Sequence, residues 1–376
     1  MRKFGIQIIK TLRQNESQFP VLVDEVTLDR NYNSSAATLT FTCQKDEKLS
    51  FSMGDIVVFA ADYKTMFRGR VFKKSRGSDG KIQVTAYDNL RYLLNEDTVV
   101  LGQDDSKKGY YTLKDLLDKI KGILKGYSFT MKYSIVGDEI SAVRLEPVVY
   151  EDKSYLDMIF DTFNKIKTKK GLNLTMYDDD GEFVVCDISD LVMESDNWAD
   201  PVARLGKDTI AGRYVIPIVP GKTANHYVVS NETIEDFSHE ESIDDDVYTV
   251  AKLTTDGENA SKTQSHLTFA KDNYLKQYGP LVYREKLDAK DFERTGKAII
   301  EEKGAPKHTF SVTGCVGWHD VRGGSGLYVH NVDVGHAVYR QFMLVKEVTH
   351  KFKGQTYTMD LKFTNHPKYA SIARME

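Results

Sequence analysis

Gly54-Asp55-Ile56-Val57-Val58-Phe59, Phe67-Arg68-Gly69-Arg70-Val71-Phe72 and Ile82-Gln83-Val84-Thr85-Ala86 are three short alternating runs separated by turn residues. Alternation of apolar and polar side chains is the signature of a strand with one buried face. The connectors are Asp62-Tyr63-Lys64-Thr65 and Arg76-Gly77-Ser78-Asp79-Gly80, where glycine supplies the positive φ of a tight hairpin. Upstream, Gly5 to Lys10, Val21 to Arg30 and Ala37 to Gln44 alternate in the same way. Five or six short strands joined by hairpins predict a small barrel or sandwich over residues 1–98.

Beyond Leu94 the period changes. Leu113, Leu116, Leu117, Ile120, Ile123 and Leu124 fall on one helical face, behind a capping box at Thr112 and Asp115 and ahead of Gly126. A second helix is expected from Ser154, with Leu156, Ile159, Phe160, Phe163 and Ile166 inward and Lys169-Lys170-Gly171 at its end. A hairpin follows, Leu172–Met176 and Phe183–Ile188, turned at Asp178-Asp179-Asp180-Gly181. Residues 99–230 read as an inserted α+β domain with an irregular tail. Alternation returns at Asn231–Glu241 and Val247–Thr254, helices are expected at 265–278 and 288–303, and strands at Thr309–Val316, Gly326–Asn331, Ala337–His350 and Gln355–Thr364. Residues 231–376 therefore form a second β domain with a helical insertion at about 263–308, and the fold class is α+β, mainly β.

The two β regions share a weak internal repeat. Gly54-Asp55-Ile56-Val57, Phe67–Val71 and Ile82–Ala86 are matched in order by Gly335-His336-Ala337-Val338, Met343–Val348 and Tyr357–Leu361.

Composition removes several function classes. Over 376 residues, 51 Lys+Arg against 55 Asp+Glu leave a formal charge of −4, which excludes a basic nucleic-acid-binding surface as the main function. Cys43, Cys186 and Cys315 lie far apart with no CxxC pair, so neither a disulfide framework nor a zinc cluster is expected, and a reducing compartment is the default. Gln7 and Lys10 interrupt the apolar N-terminal stretch before it reaches signal-peptide length, and no apolar run approaches the ~18 residues of a membrane span. Neither a membrane association nor a cofactor is expected.

Searches for catalytic constellations fail on spacing. Gly257–Thr263 resembles a phosphate loop with Ser261 where a glycine is required. His239-Glu240-Glu241-Ser242-Ile243 opens like a zinc-protease motif, but Ile243 stands in place of the second histidine, and the run alternates like a strand. Asp178, Asp180 and Gly181 sit at calcium-loop spacing, yet Met176 would be the first ligand. Gly323-Gly324-Ser325-Gly326 fails as a nucleophile elbow because Leu327 stands where its last glycine belongs, and it reads as a flexible loop. His319, His330 and His336 could converge on a metal, but satisfied or exposed histidines of β turns are far commoner. Lys114, Lys119, Lys121 and Lys125 alternate with Asp115 and Asp118 as a solvated helix face.

The runs Gly54–Phe59, Phe67–Phe72 and Ala86–Leu93, with Ser242-Ile243-Asp244-Asp245, Tyr278-Gly279-Pro280-Leu281 and Val345–His350, resemble the baseplate hub proteins of contractile phage tails and phage-tail-like particles. The positions singled out are Gly54, Asp55, Phe67, Gly69, Asp88, Tyr92, Asp244, Gly279, Gly335 and His350. The resemblance implies two tube-type β-barrels per chain and a homotrimer of pseudo-sixfold symmetry that joins a hexameric tail tube to a trimeric central spike. It also implies contact with other baseplate proteins, assembly in the bacterial cytoplasm, and no catalytic, metal or cofactor residues. Asp196–Ser230 fits no part of the pattern, and no lysozyme or peptidase module is present, so cell-wall digestion is not implied. Two other classes stay open on composition alone: a cell-wall hydrolase of peptidase type, disfavoured by the failed motifs, and a carbohydrate-binding adhesion module. The 21 Tyr would permit the latter, while 2 Trp argue against it.

Overall fold

The computed structural model describes residues 4–13, 16–33, 36–103, 109–193, 209–210, 213–214, 228–229, 233–244, 246–255, 264–287, 292–333 and 338–365, without the side chains of 209–214, 228, 330–333 and 338–341. The first β region comprises β1 (Phe4–Ile9), β2 (Ser17–Gln18), β3 (Val26–Asp29), β4 (Thr38–Gln44), β5 (Ile56–Ala61), β6 (Lys64–Arg76) and β7 (Lys81–Asp88). Each longer strand buries alternate residues, as the sequence pattern requires: Val57, Phe59 and Ala61 on β5, and Ile82, Val84 and Ala86 on β7.

The insertion follows with β8 (Glu96–Leu101), α1 (Leu113–Gly126), β9 (Tyr133–Ile135), α2 (Asp138–Ser141), β10 (Val148–Ser154), α3 (Tyr155–Lys170), β11 (Leu174–Asp179) and β12 (Glu182–Asp187). Its helices start where the capping chemistry places them. The Thr112 side chain accepts from the Asp115 amide, the Asp115 carboxylate accepts from the Thr112 amide, and the Ser154 hydroxyl accepts from the Asp157 amide. α3 stops at Gly171, whose φ is +73°. The acidic run after Met176 is a hairpin: Asp180 and Gly181 both take positive φ in a two-residue turn between β11 and β12. This domain has its own core, built from Leu113, Leu117, Ile120, Tyr150, Ile159 and Phe163 among others.

After short strands β13 (Thr209–Ile210), β14 (Arg213–Tyr214) and β15 (Val228–Val229), the chain continues through β16 (Asp236–Ser242), β17 (Val250–Thr254), β18 (Ser265–Phe269), α4 (Asp272–Tyr278), β19 (Val282–Lys286) and α5 (Phe292–Lys303). It ends with β20 (Lys307–Val316), β21 (Gly326–Asp333), β22 (Val338–Lys353) and β23 (Thr356–Thr364). The expected helix at 265–278 is corrected: Ser265–Phe269 is a strand, because its backbone is taken up by the ladder with Val250–Thr254, and only Asp272–Tyr278 is helical. In the second expected helix, Phe292–Lys303 is helical and residues 288–291 lie outside the described set.

The two β regions join. β3 pairs with the far half of β22 through Thr349–Asp29, His350–Leu28 and Phe352–Val26. The result is one thirteen-stranded sheet in the order β16-β20-β23-β22-β3-β4-β7-β6-β5-β1-β2, with β21 and β15 branching from β22. One core runs beneath both halves, from Ile8 and Phe59 to Phe310 and Phe363. Among the described residues no ladder closes into a barrel; the sheet runs open between β16 and β2.

An internal repeat is present in the topology, with a different alignment from the one expected. The order β3-β4-β7-β6-β5 is repeated as β16-β20-β23-β22-β21, with every neighbour antiparallel in both units. Val338–Lys353 is a single strand, so Gly335 does not open the counterpart of the Gly54 strand, and Gly335 itself lies outside the described residues. The counterpart is Gly324. Gly54 donates to Val71 O at 2.8 Å and Val71 donates to Asp55 O at 3.0 Å; Gly324 donates to Val345 O at 2.9 Å and Val345 donates to Ser325 O at 2.8 Å. Both glycines have positive φ, +83° and +94°. In each unit a bulge follows at once, after Val71 and after Val345.

Candidate assembly interface

Of the ten residues singled out from sequence, all but Gly335 lie among the described residues. Gly54, Asp55 and Phe67 belong to the turn and strands of the first unit. The Asp55 carboxylate accepts from the Thr11 and Ser52 amides at 3.0 and 2.8 Å, while Arg70 donates to Gly54 O at 2.9 Å. Gly69 faces Asp88 across the β6–β7 ladder, and the Tyr92 ring lies 4.6 Å from that of Phe129, so these three lie where the sheet meets the insertion. Asp244 is an exposed turn residue whose amide donates to Ser242 Oγ, and Gly279 caps α4 and accepts from Thr249 Oγ1 at 2.6 Å. His350 is fully buried in the second unit.

His350 sits at the seam between the units. Its Nε2 lies 3.0 Å from Val321 O, an acceptor only, so Nε2 carries the proton; Nδ1 then accepts from the Tyr357 hydroxyl at 2.9 Å. Burial, reinforced by the positive charge of Arg30, holds its pKa well below the usual histidine value. The loop that His350 grips is the glycine-rich stretch expected to be flexible, and that expectation is corrected. Gly323, Gly324 and Ser325 are buried, the Gly323 amide donates to Arg30 O at 2.9 Å, and the Arg30 guanidinium donates to His319 O at 3.2 Å. Arg322 lies 3.9 Å over the Tyr177 ring of the insertion. Burial lowers the Arg30 pKa to about 10, with Arg322 adding to the effect. One loop thus ties both β units and the insertion together.

A carboxylate pair ties the first unit to the insertion. Asp88 is buried and accepts from the Leu90 and Ala37 amides at 3.0 and 3.1 Å; Asp178 accepts from the Gly181 and Asn89 amides at 2.6 and 3.1 Å. Burial raises both pKa values, with the charge of Asp178 acting further on Asp88, and Asp178 reaches about 6. A carboxyl that binds its proton more tightly when folded makes stability fall as pH rises between about 4 and 6. Asp178→Asn is expected to remove that contribution. Denaturant titration of both proteins from pH 4 to 7 should show wild-type stability, relative to the variant, falling to about pH 6 and then levelling.

The open ends of the sheet differ in character. Around β1 and β2 the exposed apolar residues are Leu12 (97% exposed), Phe19 (73%) and Met53. Thr11 bonds to Gly54 O and Gln18 bonds to Ser50 N, which brings these residues to one corner. At the other end β16 carries Asp236, Glu240 and Glu241, all exposed, beside Phe237. Open edges of this kind are templates for pairing with another chain. No helix among the described residues is long and apolar enough to cross a membrane. Residues 257–263, His336 and Asp245 lie outside the described set, as does the His330 side chain.

The sequence profile of the YqbQ-like family matches residues 26–364, both β units with everything between them. The chain belongs to the YqbQ-like family. This YqbQ-like chain is 24% identical over 319 residues to YqbQ of Bacillus subtilis strain 168, covering 83% of this chain and 81% of that protein. It is 23% identical over 320 residues to the phage-like element PBSX protein XkdQ of the same strain, covering 83% and 82%. In fold it is similar to the 43 kDa tail protein of prophage MuSo2 from Shewanella oneidensis, with a TM-score of 0.62, 11% identity, and coverage of 97% of this chain and 99% of that one. The tail protein from Neisseria meningitidis MC58 gives 0.63 at 10% identity, with 98% and 99% covered. E. coli c3393, a type VI secretion component described as similar to T4 tail proteins gp27 and gp5, gives 0.50 at 11% identity, with 96% and 76% covered. The YqbQ-like chain therefore has the fold of phage-tail proteins, in line with the resemblance read from its sequence.

Proposed function

We propose that this chain is a non-enzymatic baseplate hub: three copies close a ring that joins a sixfold tail tube to a threefold central spike. The observation that carries this reading is the repeated five-strand unit, because two equivalent units in each of three chains give six similar positions around an axis. Each unit would contribute one tube-type barrel, completed by its neighbours.

The repeat also specifies how neighbours meet. Within the chain, β3 of the first unit covers the far half of β22. The counterpart of β3 is β16, an open edge, and the counterpart of Thr349–Phe352 of β22 is Ser75–Ser78 at the end of β6, where pairing with β5 has already ended at Arg70. Ring closure then places Phe237–Glu240 of one copy on Ser75–Ser78 of the next. In this register Asp29 corresponds to Glu240 and Thr349 to Ser75, so the intrachain bond from Thr349 Oγ1 to Asp29 predicts Ser75 of one copy against Glu240 of the other. The charges along this antiparallel register agree nearest Ser75: Glu241 of one copy falls opposite Lys74 of the other, and Glu240 lies diagonally from Lys73.

Light scattering on the protein, alone and mixed with the tube and spike proteins of its particle, tests the reading. The expected species is three chains of 42.7 kDa, about 128 kDa. Glu240→Lys is expected to give single chains, and adding Lys73→Glu to the same chain to restore the trimer. A single chain under every condition, with no affinity for tube or spike, would refute the hub.

A further inference from the structure

We propose that His239, Glu241 and His308 form a binding site for a divalent transition metal, with zinc the best match. The sequence around His239 opens like a zinc-ligating motif and then lacks its second histidine. The fold supplies one from the adjacent strand. In the β16–β20 ladder Glu241 lies directly opposite His308 and His239 opposite Phe310, so two histidines and a carboxylate share one face of two paired strands. That face continues onto Phe310, fully buried in the main core, whose ring lies 6.0 Å from that of Phe237. The three ligands thus stand at the solvent-facing rim of an apolar floor.

The distances fit coordination better than hydrogen bonding. His308 Nδ1 is 3.4 Å from His239 Nε2 and 3.4 Å from Glu241 Oε1, and all three donor atoms lie within 4.8 Å of one another. A separation of 3.4 Å is long for an N–H···N or N–H···O bond. Ligands bound to zinc at about 2.0–2.1 Å in a tetrahedron stand about 3.3–3.4 Å apart. The two imidazoles stand on adjacent strands with ring centroids 5.6 Å apart, so rotation about their side-chain bonds can bring a nitrogen of each to one ion. Two neutral imidazoles and one carboxylate form a donor set suited to zinc rather than to calcium or magnesium, which favour all-oxygen shells. Three protein ligands leave a fourth position for water or a residue of another chain. The site does not rest on the hub reading.

Tag-free, chelator-stripped full-length protein titrated calorimetrically with zinc chloride tests the proposal, with cobalt(II) absorption as the geometric readout. The expected result is one zinc per chain with a Kd of about 10 µM or tighter, and visible cobalt bands of tetrahedral intensity. His239→Asn, His308→Asn and Glu241→Gln should each weaken zinc about tenfold or more, and His266→Asn should leave it unchanged. Circular dichroism of each metal-free variant checks folding. Should a histidine variant unfold, Glu241→Gln decides, because that side chain is 61% exposed. Absence of saturable one-to-one binding, or equal binding by Glu241→Gln and wild type, overturns the site.

Discussion

Gly323→Ala is expected to lower the stability of the protein by about 4 kcal/mol, a large share of the roughly 5–15 kcal/mol that holds a folded domain together. A Cβ at this position would lie 2.0 Å from Tyr32 N and 2.3 Å from the Asn31 carbonyl carbon. Both are backbone atoms at the end of β3, so no side chain can rotate away and the two segments must part. Parting them breaks the hydrogen bond from the Gly323 amide to Arg30 O and strains the neighbouring one from Gly324 to Val345 O. Overpacking of about 1–3 kcal/mol and about 1 kcal/mol for each bond give the total. Gly122→Ala is the contrasting control: it lies in α1 with nothing within 4 Å of a new Cβ, and is expected to stabilise by up to about 1 kcal/mol through helix propensity. Urea melts of the two variants check the pair, and a Gly323→Ala protein within about 1 kcal/mol of wild type would show that the seam is loosely packed.

His350→Ala is expected to cost about 3 kcal/mol, since it opens a cavity and strands the Tyr357 hydroxyl and the Val321 carbonyl in a dry interior. Tyr357 has little freedom to recover, because its ring stacks on Phe352 at 4.2 Å and a Cβ at Gly317 would already touch it. The same histidine gives the protein an acid limit. The unfolded chain takes up a proton as pH falls below 6.5, whereas the folded chain resists it because the ring is buried and Arg30 and Arg322 lie nearby. Stability is therefore complete above pH 6.5 and declines as pH falls toward the depressed folded pKa. The Asp88–Asp178 pair acts in the opposite direction over part of that range, so the two contributions are separated by variant. His350→Gln, whose amide nitrogen can still donate to Val321 O, is expected to lose less at pH 7 and to show a shallower acid decline than wild type. An unchanged decline would place the titrating group elsewhere.

Much of the local structure was legible in order. Capping chemistry at Thr112 and Ser154, the stop at Gly171 and the Asp180-Gly181 turn depend on residues three or four apart, and the structure places each where those residues require. The errors were of two kinds. Ser265–Phe269 became a strand because a ladder to Val250–Thr254 outweighed a weak helical pattern. The glycine-rich loop was read as flexible because nothing in its own residues reveals that Arg30, Tyr32 and Tyr177 close over it. The metal cluster escaped for the same reason, since His308 stands 69 residues from His239.

The sequence by itself determined the mainly β class, the inserted helices and the balanced net charge, which rest on period, capping and composition, and its particular runs carried the resemblance to tail proteins. Tertiary structure alone decided that the two β regions share one sheet through β3 and β22, that Gly324 rather than Gly335 answers Gly54, and which edges remain open. The physical reason is that strand pairing is a contact between backbones. Every non-proline residue offers the same amide and carbonyl, so the choice of partner depends on burial and bulges summed over the whole sheet, and no local run of side chains records it.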